Sequence, residues 1–159
     1  VSKGKLIQEP LVENPERVLK ELVQKCLGEL ERALLATPDG VVLAVSNSSD
    51  FDDLIAALSA AVVAGVGDAF MQYFLLGVRD VTAELEDGRI VVMRDLGTAV
   101  LCLITRPKPN LGLVYYQLNK HLNRLLAVLE QMSLAQTEDL SPFNGNRTRT
   151  AAPHVVYRQ

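Results

Sequence analysis

Residues 52–76 read DDLIAALSAAVVAGVGDAFMQYFLL, and the reading of this stretch decides the fold. No charged side chain occurs from Leu54 to Gly67, and Asp68 is the only charge from there to Leu76. The stretch holds no Pro, and Ala dominates its first half, so helix propensity survives Gly65 and Gly67. A helix this apolar must be covered on two sides or must sit in a bilayer. At about 100° per residue, Leu54, Ile55, Leu58, Val62, Val66, Tyr73 and Leu76 gather on one side. Ala56, Ala60, Gly67 and Met71 fall opposite, with Ala64 beside them. The bulky side is expected to pack on a sheet. The small-residue side is expected to let a second backbone come close.

A bilayer span needs about 20 apolar residues, and the stretch is long enough. Asp68 would then stand in hydrocarbon at a cost of about 2.5–3.5 kcal/mol. The flanks carry Asp50, Asp52 and Asp53 on one side and Arg79 and Asp80 on the other, with no Lys/Arg cluster to orient a span and no Trp belt. The reading is therefore no membrane span, but a helix buried between its own sheet and a partner.

The chain of 159 residues has the size of one domain, and 48% hydrophobic residues suffice for a core without staples. A formal net charge of −3 argues against a nucleic-acid binder, which would carry a basic stripe. The opening VSKGKLIQEP has no apolar signal core, so a cytoplasmic location is expected. Cys26 and Cys102 fall at apolar positions of periodic segments and read as two buried thiols.

Residues 1–13 read as a flexible lead-in. Asn14-Pro15-Glu16 is a helix start, with Asn as N-cap and Pro in the first turn. Val18, Leu19, Leu22, Val23, Cys26, Leu27 and Leu30 then recur at helical spacing, with an end near Gly28. Residues 32–37 and 41–46 are strands joined by Pro38-Asp39-Gly40. Ser49 or Asp50 is the expected N-cap of the central helix. Three strands follow, at 78–86, 89–96 and 98–105, with Asp87-Gly88 as a type I′ turn. The first sets Val81, Ala83 and Leu85 against Thr82, Glu84 and Glu86, which suits an edge strand open to solvent or a second subunit. The last is apolar on both faces, which suits a central strand. After the linker Arg106-Pro107-Lys108-Pro109-Asn110, a long helix carries Leu111, Val114, Tyr115, Leu118, Leu122, Leu125, Leu129 and Met132 as its apolar stripe. Lys120, His121, Asn123, Arg124 and Glu130 lie off it, and His121 reads as a solvated surface residue. The period stops near Ala135, and 135–159 reads as a disordered tail after a domain at 14–134. Strand pairs joined by tight turns make an antiparallel sheet. The fold class is α+β: a three-layer sandwich on a five-stranded antiparallel sheet.

The pieces ALLATPDGVVLAVS, DDLIAALSAAVVAGVGDAF, the meander ending in TAVLCLIT, and LGLVYYQLNKHLNRLLAVLEQM resemble, in this order, the Roadblock family. The family comprises the Roadblock-type dynein light chains and their bacterial and archaeal relatives, and the similarity covers roughly residues 14–132. It implies first and last helices on one face of the sheet and the middle helix on the other. It also implies homodimers with paired middle helices and joined edge strands, and a regulatory platform for a Ras-like small GTPase. The corresponding interface residues would be Ala56, Ala60, Ala64, Gly67, Met71, Val81 and Ala83, with Asp53, Ala57, Asp68 and Gln72 as partner-docking positions.

No catalytic, cofactor or metal-binding residues are expected. His121 and His154 stand apart from any Cys or carboxylate cluster, and Gly65-Val66-Gly67 lies inside a helix rather than in a phosphate loop. Ser48, Ser49 and Ser59 have no supporting His and Asp pattern. Arg79 and Arg94 read as ordinary strand-surface residues. Arg106 and the tail residues Arg147, Arg149 and Arg158 are the arginines placed where a catalytic finger could move. The alternative to a GTPase regulator is a dimeric scaffold with no effect on nucleotide turnover. A small-molecule sensor finds little support in strands with so few polar groups.

Overall fold

The computed structural model describes residues 13–139. Helix α1 (Pro15–Lys25) starts as its sequence requires, with the Glu16 backbone N–H donating to the Asn14 side chain at 2.9 Å. It ends where Leu27 and Gly28 take positive φ of 51° and 87°. That turn feeds the chain directly into β1 (Leu30–Ala36), so Leu30 is a strand residue and Leu27 is exposed. Both had matched the helical spacing, and the left-handed turn between them is what ends it. The remaining elements are β2 (Val42–Val45), α2 (Asp52–Phe74), β3 (Asp80–Glu84), β4 (Ile90–Asp95), β5 (Val100–Thr105) and α3 (Leu111–Asp139).

The sheet is antiparallel in the order β2-β1-β5-β4-β3. β5 is central, as a strand apolar on both faces must be, and β3 is an edge, as its alternation of half-buried and exposed residues suggests. Two hairpins share one loop design. The Thr37 N–H donates to Val41 O at 2.8 Å and the Gly40 N–H to Thr37 O at 2.9 Å; the Leu85 N–H donates to Arg89 O at 2.8 Å and the Gly88 N–H to Leu85 O at 2.9 Å. Gly40 and Gly88 sit at φ of 90° and 89°. Asp87 is not at positive φ, so the second loop is a three-residue connection closed by a left-handed glycine, not the expected type I′ turn. The Asp87 carboxylate instead accepts from the Arg89 N–H at 3.0 Å.

Two cores lie on either side of the sheet. Val18, Leu19 and Leu22 of α1 and Val114, Leu118 and Leu125 of α3 pack on Leu35, Leu101 and Leu103. Ala56 and Val63 of α2 pack on Leu34, Val100 and Cys102. Strand period two explains the division, since Leu34 and Leu35 necessarily face opposite ways. Cys26 and Cys102 are both buried and free, one in each core, so the sheet separates them. Burial pushes the Cys26 thiol up to about 11, which keeps it a protonated, unreactive group at neutral pH.

Neither Ser49 nor Asp50 caps α2; Phe51 holds that position without a side-chain bond. Asp52, inside the first turn, instead ties the preceding loop to the helix start. Its carboxylate accepts from the Ser49 N–H at 2.9 Å and pairs with Arg32 of β1, which fastens the helix start to the sheet.

On the other face, His121 is buried rather than solvated, with its Nδ1 donating to the Gln117 carbonyl at 2.7 Å. The apolar stripe of α3 faces the sheet, but α1 lies alongside and covers a second flank that no stripe announces. Arg124 crosses the same seam, pairing with Glu21 at 2.8 Å and with Glu13. Glu13, read as part of a flexible lead-in, is thus engaged, while 1–12 lies outside the described residues. α3 continues past Ala135 to Asp139, and the expected tail beyond 139 lies outside them too.

A Cβ at Gly40 would meet the α2 backbone at Ala57 Cα at 2.9 Å, whereas one at Gly28 would meet nothing within 4 Å. Both substitutions to Ala incur the left-handed backbone penalty of about 1–2 kcal/mol. Gly40→Ala is expected to lower urea-unfolding stability more than Gly28→Ala, because only it pushes the hairpin off α2. Equal losses would show that this contact yields freely.

Candidate functional site

Helix α2 turns Ala56, Ser59, Ala60 and Val63 inward and buries them. Leu54 and Leu58 stand outward, each 55% exposed. The helix is turned by about a quarter from the expected orientation: of the side expected on the sheet, Ile55 and Val62 pack half-buried against the second core, while Leu54 and Leu58 do not. Ala56 and Ala60 are sealed against the chain's own sheet, Ala60 at 4% exposure, and cannot meet a second subunit's helix. The physical reason is distance. Small side chains let the helix axis come close to a sheet surface that already supplies bulk through Leu34, Val100 and Met93. In a helix apolar all round, periodicity shows two sides but not which of them is the core.

The other expected interface residues divide. Ala64 and Met71 are exposed and Gly67 is half-buried. With Ala60, Val63 and Asp68 they line one wall of a cleft of about 270 Å³, closed opposite by the loops around Gly77 and Gly97. Val81 and Ala83 are half-buried on β3, packed against the α2-side core. Asp53, Ala57, Asp68 and Gln72 are all exposed, in a row along the outer flank of α2.

Sequence reasoning missed the ridge that faces outward: Leu54, Leu58, Ala61, Gly65 and Ala69, all exposed. It also missed the overhang. Past Val63 no residue of α2 is buried, because the helix outruns the sheet. Phe70 and Phe74 stack at 5.8 Å between ring centroids, Tyr73 lies 6.2 Å from Phe74, and Tyr73 is 87% exposed. Leu75 closes the helix at φ 57°, leaving Leu75 and Leu76 exposed as well. The clustering of Phe70, Tyr73 and Phe74 after Asp68 was the available signal. Exposed large apolar side chains gathered in this way are uncommon on a monomer. By length and apolarity α2 would also suit a membrane span, the one such helix among the described residues. Its inner face, however, closes the second core, and lifting it into lipid would uncover Leu34, Val100 and Cys102.

The topology has counterparts among solved structures. No protein-family model matches the sequence, and comparison with curated proteins finds no match. A Roadblock/LC7 domain from Streptomyces avermitilis superposes with a TM-score of 0.61 at 18% identity, covering 77% of this chain and 97% of that one. MglB of Myxococcus xanthus gives 0.63 at 19% identity, covering 74% and 95%. The gliding protein MglB of Thermus thermophilus gives 0.61 at 20%, covering 75% and 93%. The chain has the Roadblock/LC7 fold.

Within the Roadblock/LC7 fold, the arginines of this chain are mostly held. Arg89 pairs with Asp87 at 2.7 Å and with Glu31. Arg106, placed by sequence in a movable linker, forks onto Glu29 at 2.7 and 3.0 Å, and the same carboxylate accepts from the Asn110 N–H at 2.8 Å. Arg94 is not a surface residue: its side chain is 7% exposed and donates to Asp80 through Nε at 2.6 Å and Nη2 at 2.8 Å. The register sets Asp80 opposite Arg94, on the face that α3 covers. Arg147, Arg149 and Arg158 lie outside the described residues. Among the described residues, no group of three or more His, Cys, Asp or Glu could hold a metal.

Hydrogen bonding from Arg94 holds the Asp80 carboxyl below its ordinary range. A carboxyl depressed on folding contributes stability above its unfolded pKa, about 3.9, and that contribution is lost as pH falls through the lowered folded value. Asp80→Asn is therefore expected to be less stable than wild type at neutral pH, with the difference shrinking in acid. A difference independent of pH would mean that the pair's charge is immaterial.

Proposed function

We propose that the protein is a non-catalytic, homodimeric binding partner and regulator of a Ras-like small GTPase, acting in the cytoplasm through protein contacts, without a cofactor. The observation that carries this reading is the uncovered outer face of α2, which runs on into the aromatic overhang beside the free edge of β3. A dimer would cover part of that surface, and the acidic and amide row Asp53, Asp68 and Gln72 would border the contact. The Roadblock resemblance supplies the partner class, and one MglB structure has a tetrameric arrangement, which fits a fold that self-associates.

Regulation would work by positioning. The GTPase brings its own phosphate cradle and Mg²⁺, and a platform shifts its switch equilibrium by the difference in affinity for the two nucleotide states. Anchoring of Arg32, Arg89, Arg94, Arg106 and Arg124 in ion pairs supports this over a finger. Arg17 is exposed, and Arg79 is exposed with only a 3.5 Å contact to Asp80.

The test is binding of the purified chain to Ras-like GTPases loaded with GDP or a GTP analogue. Binding to one nucleotide state is expected, and binding to neither contradicts the proposal. Stable binding with unchanged hydrolysis would assign the scaffold role instead. If hydrolysis is stimulated, Arg17→Ala and Arg79→Ala should leave the maximal rate within a few-fold, whereas removing a finger costs about 10³–10⁵.

A further inference from the structure

The Arg94–Asp80 pair forms the floor of an open cleft of about 450 Å³ between the β3–β4 edge of the sheet and α3. The cleft opens on the face opposite α2, away from the exposed ridge of that helix. Its volume falls within the range of about 300–1,000 Å³ usual for small-molecule sites. Tyr115, Asn119 and Leu122 of α3 form one wall, and Arg79 stands at the rim.

The guanidinium of Arg94 is only half used. Nε and Nη2 present its side-on fork to Asp80. The end-on fork, formed by Nη1 and the second hydrogen of Nη2, has no acceptor among the described residues, and Nη1 is not sealed from solvent. A buried strand arginine thus keeps a planar, two-donor edge directed away from its ion-pair partner. Such an edge matches a carboxylate in geometry and charge. The Tyr115 hydroxyl and the Asn119 amide also make no hydrogen bond among the described residues. Arg79, its side chain 81% exposed, lies 3.5 Å from the same Asp80 carboxylate and can swing over the mouth. The lining therefore sets two cations against one carboxylate, with the Tyr115 ring and Leu122 as its apolar part.

We propose that this cleft binds a small organic carboxylate with an apolar or aromatic body. The carboxylate takes the end-on fork of Arg94 and the Arg79 guanidinium, and the body lies against Tyr115 and Leu122. A site of this kind escapes a sequence search because its floor is an Arg94–Asp80 pair made by the β3–β4 register, from an arginine that in sequence reads as strand surface.

The experiment titrates the full chain with benzoate, with its neutral isostere benzamide, and with inorganic phosphate. It follows the ¹⁵N resonances of arginine Nε and backbone amides together with the melting temperature. Benzoate is expected to shift the Arg79, Arg94 and Asn119 signals saturably and to raise the melting temperature, while benzamide does neither. Arg79→Gln and Asn119→Leu, both at exposed positions, should keep the fold and weaken benzoate binding about tenfold. Arg94→Lys should abolish it by removing the fork. Absence of a saturable benzoate shift overturns the proposal. So does equal response to benzamide, saturation by phosphate alone, or wild-type affinity in Arg79→Gln and Asn119→Leu together.

Discussion

The structure depends on how closely α2 can approach the sheet. Ala56, Ser59 and Ala60 leave so little between helix and strands that Leu34, Met93, Val100 and Cys102 fill the layer from below. Had Leu54 and Leu58 pointed inward, the helix would stand further off and the layer would need a different set of strand residues. With Ala56, Ser59 and Ala60 inward, Ile55 and Val62 pack at the margin of the layer and Leu54 and Leu58 are left outside. An apolar ridge on a soluble fold is a cost unless something covers it. The choice of which side is buried therefore generates the exposed apolar ridge on which the proposed dimer rests.

Two further features extend that consequence. The helix outruns the sheet after Val63, so Phe70, Tyr73 and Phe74 have no strand to rest on. β3 lies at an edge with its hydrogen-bonding side open and with Val81 and Ala83 only half-covered. Ridge, overhang and edge adjoin one another on the α2 side of the molecule. The opposite side differs in kind: α1 and α3 are knit by Arg124, Glu13, Glu21 and the buried His121, and it carries the cleft over Arg94.

Much of this was legible in the sequence, for identifiable reasons. β5 is apolar at successive residues, which only a strand covered on both faces tolerates, and β3 alternates as an edge does. Asn14 and Gly40 announced a cap and a turn because each residue type solves one local backbone problem. The failures share a different cause. His121, Arg94 and Glu13 acquire their environments from elements distant in sequence, through the α1–α3 seam and the β3–β4 register. Leu30 continued the spacing of α1 across a left-handed turn that spacing does not reveal. The orientation of α2 was read only in part, with Ile55 and Val62 inward as expected but Leu54 and Leu58 outward, because a helix apolar on every side leaves its faces nearly tied. The tie is broken by the volume of the sheet residues below, which belongs to the tertiary structure.

Adjacent alanines give the most direct test of that orientation. Ala60 is buried against the sheet and Ala61 is exposed on the outer ridge. Circular dichroism and sedimentation velocity on Ala60→Arg and Ala61→Arg, side by side with wild type, separate the two faces. The account predicts a dimeric wild type, loss of the folded state in Ala60→Arg, and a folded monomer from Ala61→Arg. A folded monomer from Ala60→Arg with an intact dimer from Ala61→Arg would contradict it and restore the orientation first read from the sequence.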